Sequence, residues 1–283
     1  MELDLTSHKN IKEIMTKHGY RPNKILGQNF LINKPTLDKI IKSADLTKDD
    51  IVLEVGPGLG TLTRELATNS KRVITIEKDK RITEILRENL KEYNNIETLE
   101  GDILKFNDYS LLTKNYKLIA NIPYYLTSPL IRKFLESENK PEEIILMIQK
   151  EVAQRICSKP GDMSLLSVSV QFYAEAKIIS YVSKNCFWPA PKIDSAIIKI
   201  IPKKERLLVD SDLFFTIVKA GFSHPRKQLV NNLSVLKSLN GVKLTKYTIS
   251  EWLSRNSINQ NQRAETLSIE NWINLALSFK EIS

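Results

Sequence analysis

The stretch "IVLEVGPGLGTLTRELATN", residues 51–69, decides the fold class of this chain. It begins with a mainly apolar run, passes through glycines at positions 56, 58 and 60, and ends with the i, i+3, i+4 apolar spacing of a helix. A buried strand that turns through glycines into a helix is typical of a doubly wound α/β sheet. Glycines at that turn let the backbone approach a ligand that a Cβ would exclude. The stretch therefore predicts a binding site at the carboxyl end of this strand.

The chain that follows repeats the alternation of strand and helix. Four more strand-like runs are separated mainly by helical spacing, which predicts a mostly parallel sheet with helices on both faces. Two later runs, "FYAEAKIISYV" (172–182) and "SAIIKIIP" (195–202), leave little room for a helix between them and predict an antiparallel pair at the sheet edge. The four earlier runs are "RVITIE" (72–77), "IETLEGD" (96–102), "YKLIANI" (116–122) and "EEIILMIQ" (142–149).

The last part of the chain has a different pattern. No strand-like run follows "PKKER" (202–206), and the remaining segments have helical spacing. We therefore expect a catalytic α/β domain over residues 1–204, with a basic N-terminal arm over 1–28, and a small all-α domain over 205–283. The C-terminal helices are predicted within "SDLFFTIVKAGF" (211–222), "RKQLVNNLSVLKSL" (226–239), "TKYTISEWLSR" (245–255) and "ETLSIENWINLALSF" (265–279).

The positive charge is concentrated at the C-terminal end. The chain has 283 residues, with 42 Lys and Arg against 33 Asp and Glu. The surplus of nine is divided as +2 over residues 1–50, zero over 51–183 and +7 over 184–283. A neutral body with a basic appendage suits a polyanionic substrate, although such a surplus can also be a solubilising surface. The all-α domain is therefore predicted to bind a polyanion.

Several classes of protein are disfavoured by the sequence. There is no apolar run long enough to span a membrane, and the N-terminus is too polar for a secretory signal, so we expect a soluble cytoplasmic protein without membrane contact. Cys157 and Cys186 lack metal-ligand spacing, and the three histidines add no cluster. We expect no metal and no disulfide.

Acidic residues at the strand ends point to the ligand. Glu77 stands nineteen residues after Gly58 at the end of the second predicted strand, where a carboxylate grips both hydroxyls of a ribose. Asp102 ends the next strand in the same way. The glycine pattern G-x-G-x-G follows the acid Glu54, which would repel a pyrophosphate but tolerates the ammonium and sulfonium of S-adenosylmethionine. The expected cofactor is S-adenosylmethionine rather than a nicotinamide dinucleotide.

The stretch "LIANIPYYLT" (118–127) predicts the reacting end of the site. Asn and Pro can simply terminate a strand, but this strand end should lie beside the cofactor. The amide oxygen of Asn121 and the carbonyl of Ile122 could accept the two N–H groups of an adenine amine and point its lone pair at a methyl group. Pro123 would fix that carbonyl, and Tyr124 would stack on the flipped base.

Longer motifs resemble the ribosomal RNA adenine dimethyltransferases of the KsgA type. They are "KILGQNFLIN" (24–33), "VGPGLGTLT", "NIPY", "RICSKPGDMSLLSVSVQ" and "FWPAPKIDSAI" (187–197). The resemblance implies a Rossmann-like methyltransferase that dimethylates N6 of two adjacent adenosines near the 3′ end of small-subunit ribosomal RNA. Phe222 would stack on the target base from the side opposite Tyr124, although it could also be a core residue of its helix. The cofactor contacts it implies are Gln28, Asn29, Leu31, Gly56, Gly58, Glu77, Lys78, Asp102, Ile103 and Asn121.

The expected partner is the RNA of an immature small ribosomal subunit, bound by a monomer. Basic residues predicted to contact it are Lys17, Arg21 and Lys24 of the N-terminal arm, and Arg226 and Lys227 of "FSHPRK", a motif in which Pro225 replaces the usual first arginine. The arm could also be a solvated helix. Two other functions remain open: methylation of large-subunit RNA, as in the erythromycin-resistance type, and noncatalytic binding of RNA or DNA by an assembly or transcription factor of the same fold.

Overall fold

The computed structural model describes residues 4–23, 26–107, 115–204, 209–239 and 241–279. The chain forms two compact units, Met1–Ala153 with Ala174–Pro202, and Gln154–Tyr173 with Lys203–Ser283. Within the described residues, every helix is too short or too polar to cross a membrane.

A seven-stranded sheet forms the centre of the first unit. Its strand order is β4-β3-β2-β5-β6-β9-β7, in which the first five are parallel and β9 and β7 are antiparallel to their neighbours. The strand order reverses between β2 and β5, where open α/β sheets bind their ligands. The predicted doubly wound sheet with an antiparallel edge pair is therefore confirmed. The seven strands are β2 (Ile51–Val55), β3 (Arg72–Glu77), β4 (Ile96–Glu100), β5 (Tyr116–Asn121), β6 (Glu143–Gln149), β7 (Ala174–Val182) and β9 (Ser195–Pro202).

Both faces of the sheet are covered at its central strands β2, β5 and β6, which is why these strands are mainly apolar runs. Neighbouring residues of a strand point to opposite faces, yet Val52 and Leu53 are both buried. One face packs against Leu37 and Ile40 of α2 and Leu66 of α3. The helices of this unit are α1 (His8–Lys17), α2 (Lys34–Ala44), α3 (Thr61–Asn69), α4 (Lys80–Asn89), α5 (Thr127–Glu136) and most of α6 (Lys150–Ile156).

A short two-stranded ladder holds the segment that precedes α2. Strand β1 (Phe30–Leu31) pairs antiparallel with β8 (Phe187–Trp188), and the backbone N–H of Ile32 donates to the carbonyl of Cys186. The side chain of Asn33 then caps α2 by accepting from the backbone N–H of Thr36. The motif "GQNFL" is thereby attached to "FWPAPK", far away in sequence.

The second unit is a mainly helical body around Trp252 and Trp272. It includes α7, which the sequence pattern assigned to the first domain. Phe172 of α7 stacks on Phe214 of α8 with ring centroids 4.1 Å apart, and this contact attaches α7 to the second unit. It also includes a small antiparallel pair that the pattern did not predict, β10 (Ser238–Leu239) with β11 (Val242–Lys243). The helices are α7 (Leu165–Tyr173), α8 (Ser211–Gly221), α9 (Leu229–Leu233), α10 (Lys246–Arg255) and α11 (Ile269–Ser278).

Candidate active site

A pocket in the first unit opens at the carboxyl ends of β2, β3, β4 and β5. Residues 26–31, called here the 26–31 segment, form another of its walls. The structure brings together at this pocket all the predicted cofactor residues and the "NIPY" motif. The predicted residues that line it are Gln28, Asn29, Leu31, Gly56, Gly58, Glu77, Lys78, Asp102, Ile103, Asn121, Ile122, Pro123 and Tyr124.

The glycine turn after β2 is packed closely from two sides. Gly56 and Gly58 have φ angles of +67° and +59°, in the left-handed region that favours glycine. A Cβ at Gly58 would lie 3.1 Å from Cε1 of Phe30, and one at Gly56 would lie 3.5 Å from Cδ of Pro123. The turn therefore contacts both the 26–31 segment and the loop after β5, so three walls of the pocket meet here.

Glu77 is held by backbone donors at the end of β3. Only 8% of this residue is exposed. Its Oε2 accepts from the backbone N–H of Gly58 at 3.4 Å, and its Oε1 accepts from that of Asp79 at 2.9 Å. Burial raises the pKa of Glu77, while these donors act in the opposite direction. A fixed carboxylate beside a glycine turn is the arrangement that binds ribose hydroxyls.

Asp102 and Lys78 form an ion pair at one side of the pocket. Oδ2 of Asp102 accepts from Nζ of Lys78 at 2.9 Å, and Oδ1 accepts from the backbone N–H of Leu104 at 3.0 Å. The hydrogen bond from Lys78 lowers the pKa of Asp102. Each carboxylate oxygen can accept a second hydrogen bond, so Asp102 can still bind an adenine amine. Ile103 beside it is buried and supplies apolar surface for a ring.

Glu54 provides a test of which cofactor fits. It lies in β2, lines the pocket and is 1% exposed, and its Oε2 has no hydrogen-bond partner in the described part of the chain. Burial raises the pKa of Glu54 to about 8, Thr63 opposes the rise and the charge of Glu77 adds to it. A buried carboxylate with one unpartnered oxygen suits a cationic ligand group. The ammonium and sulfonium of S-adenosylmethionine fit this site, whereas a pyrophosphate does not.

The side chain of Asn121 is oriented by the 26–31 segment. Its Nδ2 donates to the backbone carbonyl of Asn29 at 3.3 Å, an assignment that follows from the hydrogen-bond network. Among the residues that the structure describes, the amide oxygen is therefore left as a free acceptor. Pro123 has φ −56° and ψ 135°, and its ring fixes the backbone after Ile122.

Tyr124 is held by a residue that the sequence motifs did not single out for a role. Its hydroxyl lies 2.9 Å from Oγ of Ser195, which is fully buried in β9. Burial raises the pKa of Tyr124, with the Ser195 hydrogen bond opposing the rise. Ser195 belongs to "FWPAPKIDSAI", but no spacing rule connects it to a tyrosine 71 residues earlier. The hydrogen bond orients the predicted stacking ring.

Gln28 lines the pocket, and its side chain also forms hydrogen bonds with other residues of the protein. Its Oε1 accepts from the backbone N–H of Asn23 at 2.7 Å, and its Nε2 donates to Asp79 at 3.2 Å. The hydroxyl of Tyr20 donates to the same Asp79 carboxylate. Sequence reasoning missed Tyr20 and Asp79. The position of Asp79 directly before a helical run signals a helix cap, but nothing in the sequence signals its contact with Tyr20.

The remaining predicted residues are not among those that line this pocket, or they lie outside the described residues. Phe222 ends α8 in the second unit, where its ring packs 5.5 Å from that of Trp272. Lys17 forms an ion pair with Glu88 at 2.5 Å. Arg21, Arg226 and Lys227 are exposed, and Lys24 lies outside the described residues. Their predicted roles in RNA binding remain predictions.

Known proteins resemble the chain over almost its whole length. The family model for ribosomal RNA adenine dimethylase matches residues 19–280. The ribosomal RNA small subunit methyltransferase A of Dehalococcoides mccartyi is 42% identical over 272 residues, 95% of this chain and 92% of its own. A solved dimethyladenosine transferase from Plasmodium falciparum has a TM-score of 0.75 and 30% identity over 88% of this chain and 97% of its own. The solved 23S rRNA methyltransferase ErmE has a TM-score of 0.72 and 28% identity, over 89% of this chain and 100% of its own. The family indicated by the sequence motifs is thus confirmed, and the chain belongs to the ribosomal RNA adenine dimethylases.

Proposed function

We propose that this enzyme places two methyl groups on N6 of each of two adjacent adenosines near the 3′ end of 16S ribosomal RNA. Its substrate would be an immature small subunit, and its place the cytoplasm, where such particles assemble. We propose further that it acts as a monomer. The methyl donor is S-adenosylmethionine, which supplies an electrophilic methyl group when bound.

The observation that carries this proposal is the orientation of Asn121. An adenine amine is a poor nucleophile because its lone pair is delocalised into the ring. Two acceptors that bind both N–H groups draw the nitrogen toward a tetrahedral shape. With its Nδ2 bound to Asn29, Asn121 presents Oδ1 as one acceptor, and the carbonyl of Ile122 is the second. This arrangement needs no general base.

Stacking would hold the target base in place. Tyr124 lines the pocket next to these acceptors, and its hydrogen bond to Ser195 limits rotation of the ring. Base stacking on an aromatic ring is worth about 1–3 kcal/mol. Phe222 is the proposed second contact with the base, a role that the family resemblance implies.

Small-subunit RNA is favoured over large-subunit RNA by the degree of similarity. The chain is 42% identical to a small subunit methyltransferase but 28% identical to ErmE, at comparable coverage. The basic C-terminal part supports binding to a large RNA. The intact set of Glu77, Asp102 and Asn121 in one pocket argues against a noncatalytic role.

The test is methyl transfer to purified ribosomal particles. Small and large subunits from cells that lack this enzyme are incubated with labelled S-adenosylmethionine and the protein, and the modified nucleotides are mapped by mass spectrometry. We expect dimethyladenosine at two adjacent positions near the 3′ end of 16S RNA, and none with Asn121→Ala. Label in the large subunit would support the erythromycin-resistance type instead. Binding without label would support a noncatalytic protein.

A further inference from the structure

A buried tyrosine ties the N-terminal segment to the helix that follows the ribose-binding strand. Tyr20 lies just after α1 and is 7% exposed. Its hydroxyl donates to Oδ2 of Asp79 at 2.5 Å and lies 2.9 Å from Oε1 of Gln28. Asp79 is the N-cap of α4, where its Oδ1 accepts from the backbone N–H groups of Arg81 and Ile82. One carboxylate therefore caps a helix and binds the N-terminal segment.

The same carboxylate is linked to the cofactor pocket by a hydrogen bond with Gln28. Nε2 of Gln28 donates to Oδ2 of Asp79 at 3.2 Å, so Tyr20 and Gln28 share this oxygen. Gln28 lies in the 26–31 segment and lines the pocket. Two residues further, Phe30 lies against Gly58, and Asn29 accepts from Asn121. The position of the 26–31 segment thus affects both the glycine turn and the catalytic asparagine.

Asp79 also contacts the ribose acid directly. Its backbone N–H donates to Oε1 of Glu77 at 2.9 Å. A shift of Asp79 would move a donor of Glu77 and the anchor of Gln28 together. Two residues that line the pocket, Gln28 and Glu77, therefore depend on Asp79.

Arg81 contacts the ring of Tyr20 and the backbone that precedes it. Its guanidinium lies 5.1 Å from the centre of the Tyr20 ring and donates to the carbonyls of His18 and Gly19 at 3.2 and 3.0 Å. The ion pair between Lys17 and Glu88 adds a further attachment to α4. These contacts keep the ring in place when the hydroxyl is removed, so the hydroxyl can be tested alone.

We infer that Tyr20 and Asp79 are positioning residues for the cofactor: their hydrogen bond holds Gln28 and the 26–31 segment against the pocket. Neither side chain is a catalytic residue, because both act through Gln28 and Glu77. The alternative is a buried hydrogen bond that only stabilises the fold. The inference rests on cofactor binding and not on the proposed RNA substrate, so it is tested without RNA.

The experiment compares Tyr20→Phe with a matched control, Tyr116→Phe. Tyr116 is 1% exposed, and its hydroxyl donates to the carbonyl of Asn139 at 3.0 Å. It does not line the pocket. Each variant loses one buried tyrosine hydroxyl. The dissociation constant of S-adenosylhomocysteine is measured by calorimetry, the unfolding free energy by denaturant titration, and amide hydrogen exchange over residues 20–31 by mass spectrometry.

We expect Tyr20→Phe to weaken S-adenosylhomocysteine binding by about 3- to 12-fold, which corresponds to about 0.7–1.5 kcal/mol, within the range of one net hydrogen bond. Exchange over residues 20–31 should become faster. Tyr116→Phe should keep the dissociation constant within about twofold of wild type. Asp79→Asn retains a cap acceptor but loses the shared anionic oxygen, and it should weaken binding too, with a less than additive effect in the double variant.

Three results would overturn the inference. They are an unchanged dissociation constant in Tyr20→Phe, an equal loss in Tyr116→Phe, and full additivity of Tyr20→Phe with Asp79→Asn. If Tyr20→Phe does not fold, Asp79→Asn alone against Tyr116→Phe decides the question by the same criterion.

Discussion

Replacing Glu54 with glutamine should stabilise the protein and weaken its hold on the cofactor. The carboxyl group is buried, and Oε2 has no partner in the described residues, so its ionisation in the free protein is costly. Glutamine has nearly the same shape and carries no charge. The two effects have opposite signs because the buried charge is unfavourable until a cationic ligand group binds beside it.

The size of the stability effect follows from the pKa of Glu54. Burial raises it from the ordinary value of 4.5 to about 8. A raised pKa means that the proton-linked stability is fully present below about pH 4.5 and is lost as the pH rises through about 8. At pH 7 the linked cost is about 3 kcal/mol relative to pH 4.5. We expect Glu54→Gln to gain about 1–3 kcal/mol at pH 7, because the buried amide also needs partners.

Denaturant titration and calorimetry check this prediction. The stability difference between Glu54→Gln and wild type should be small at pH 5 and grow toward pH 8. Wild type should release close to one proton when it binds S-adenosylhomocysteine at pH 7, measured in buffers of different ionisation enthalpy, and its affinity should rise with pH up to about 8. Glu54→Gln should lose this release and bind more weakly. A pH-independent stability difference, or binding by wild type without proton release, would refute the reasoning.

Four further predictions concern the proposed reaction and its substrate. Asn121→Ala should keep S-adenosylhomocysteine binding but reduce turnover by about 100-fold or more, since it removes an acceptor for the target amine; equal losses of both would contradict that role. Glu77→Ala should weaken cofactor binding by about 10-fold or more, measured by calorimetry, and unchanged affinity would exclude the ribose assignment. Ser195→Ala should lower turnover by about 3- to 12-fold in wild type and have no further effect in Tyr124→Phe; an equal effect in both backgrounds would show that Ser195 acts elsewhere. RNA affinity should fall steeply with salt, with a log–log slope of about 0.7–0.9 per neutralised phosphate, and a flat response would make the C-terminal charge a solvated surface.

The central parallel strands could be predicted closely because they are buried on both sides. The run 72–77 coincides with β3 residue for residue, since a strand covered on both sides is mainly apolar. Helix ends were predicted less well. The run 226–239 has helical spacing, but α9 covers only Leu229–Leu233, and the end of the run pairs with β11 instead. Pairing with a later segment leaves no local signal in the spacing.

The site residues that could be predicted from the sequence lie at the ends of strands, within short local motifs. Glu77, Asp102 and Asn121 each follow or end a strand-like run, and the parallel topology brings these strand ends together at the pocket. Tyr20 and Ser195 could not be predicted in the same way. Their partners, Asp79 and Tyr124, lie 59 and 71 residues away in sequence, and a lone tyrosine or serine has no periodicity that would reveal such a contact.

The three carboxylates of the pocket differ in electrostatic setting, and we propose that each serves one part of the cofactor. Burial favours the neutral form of Glu54, so only a cationic group such as the ammonium makes its ionisation favourable. Glu77 is buried but receives two backbone donors, which keeps its oxygens fixed for two sugar hydroxyls. Asp102 has its pKa lowered by Lys78 and remains an acceptor for an amine of the adenine ring. A dinucleotide would satisfy the last two but would place a pyrophosphate near Glu54. We therefore propose that the first acid, and not the glycines, selects the sulfonium cofactor.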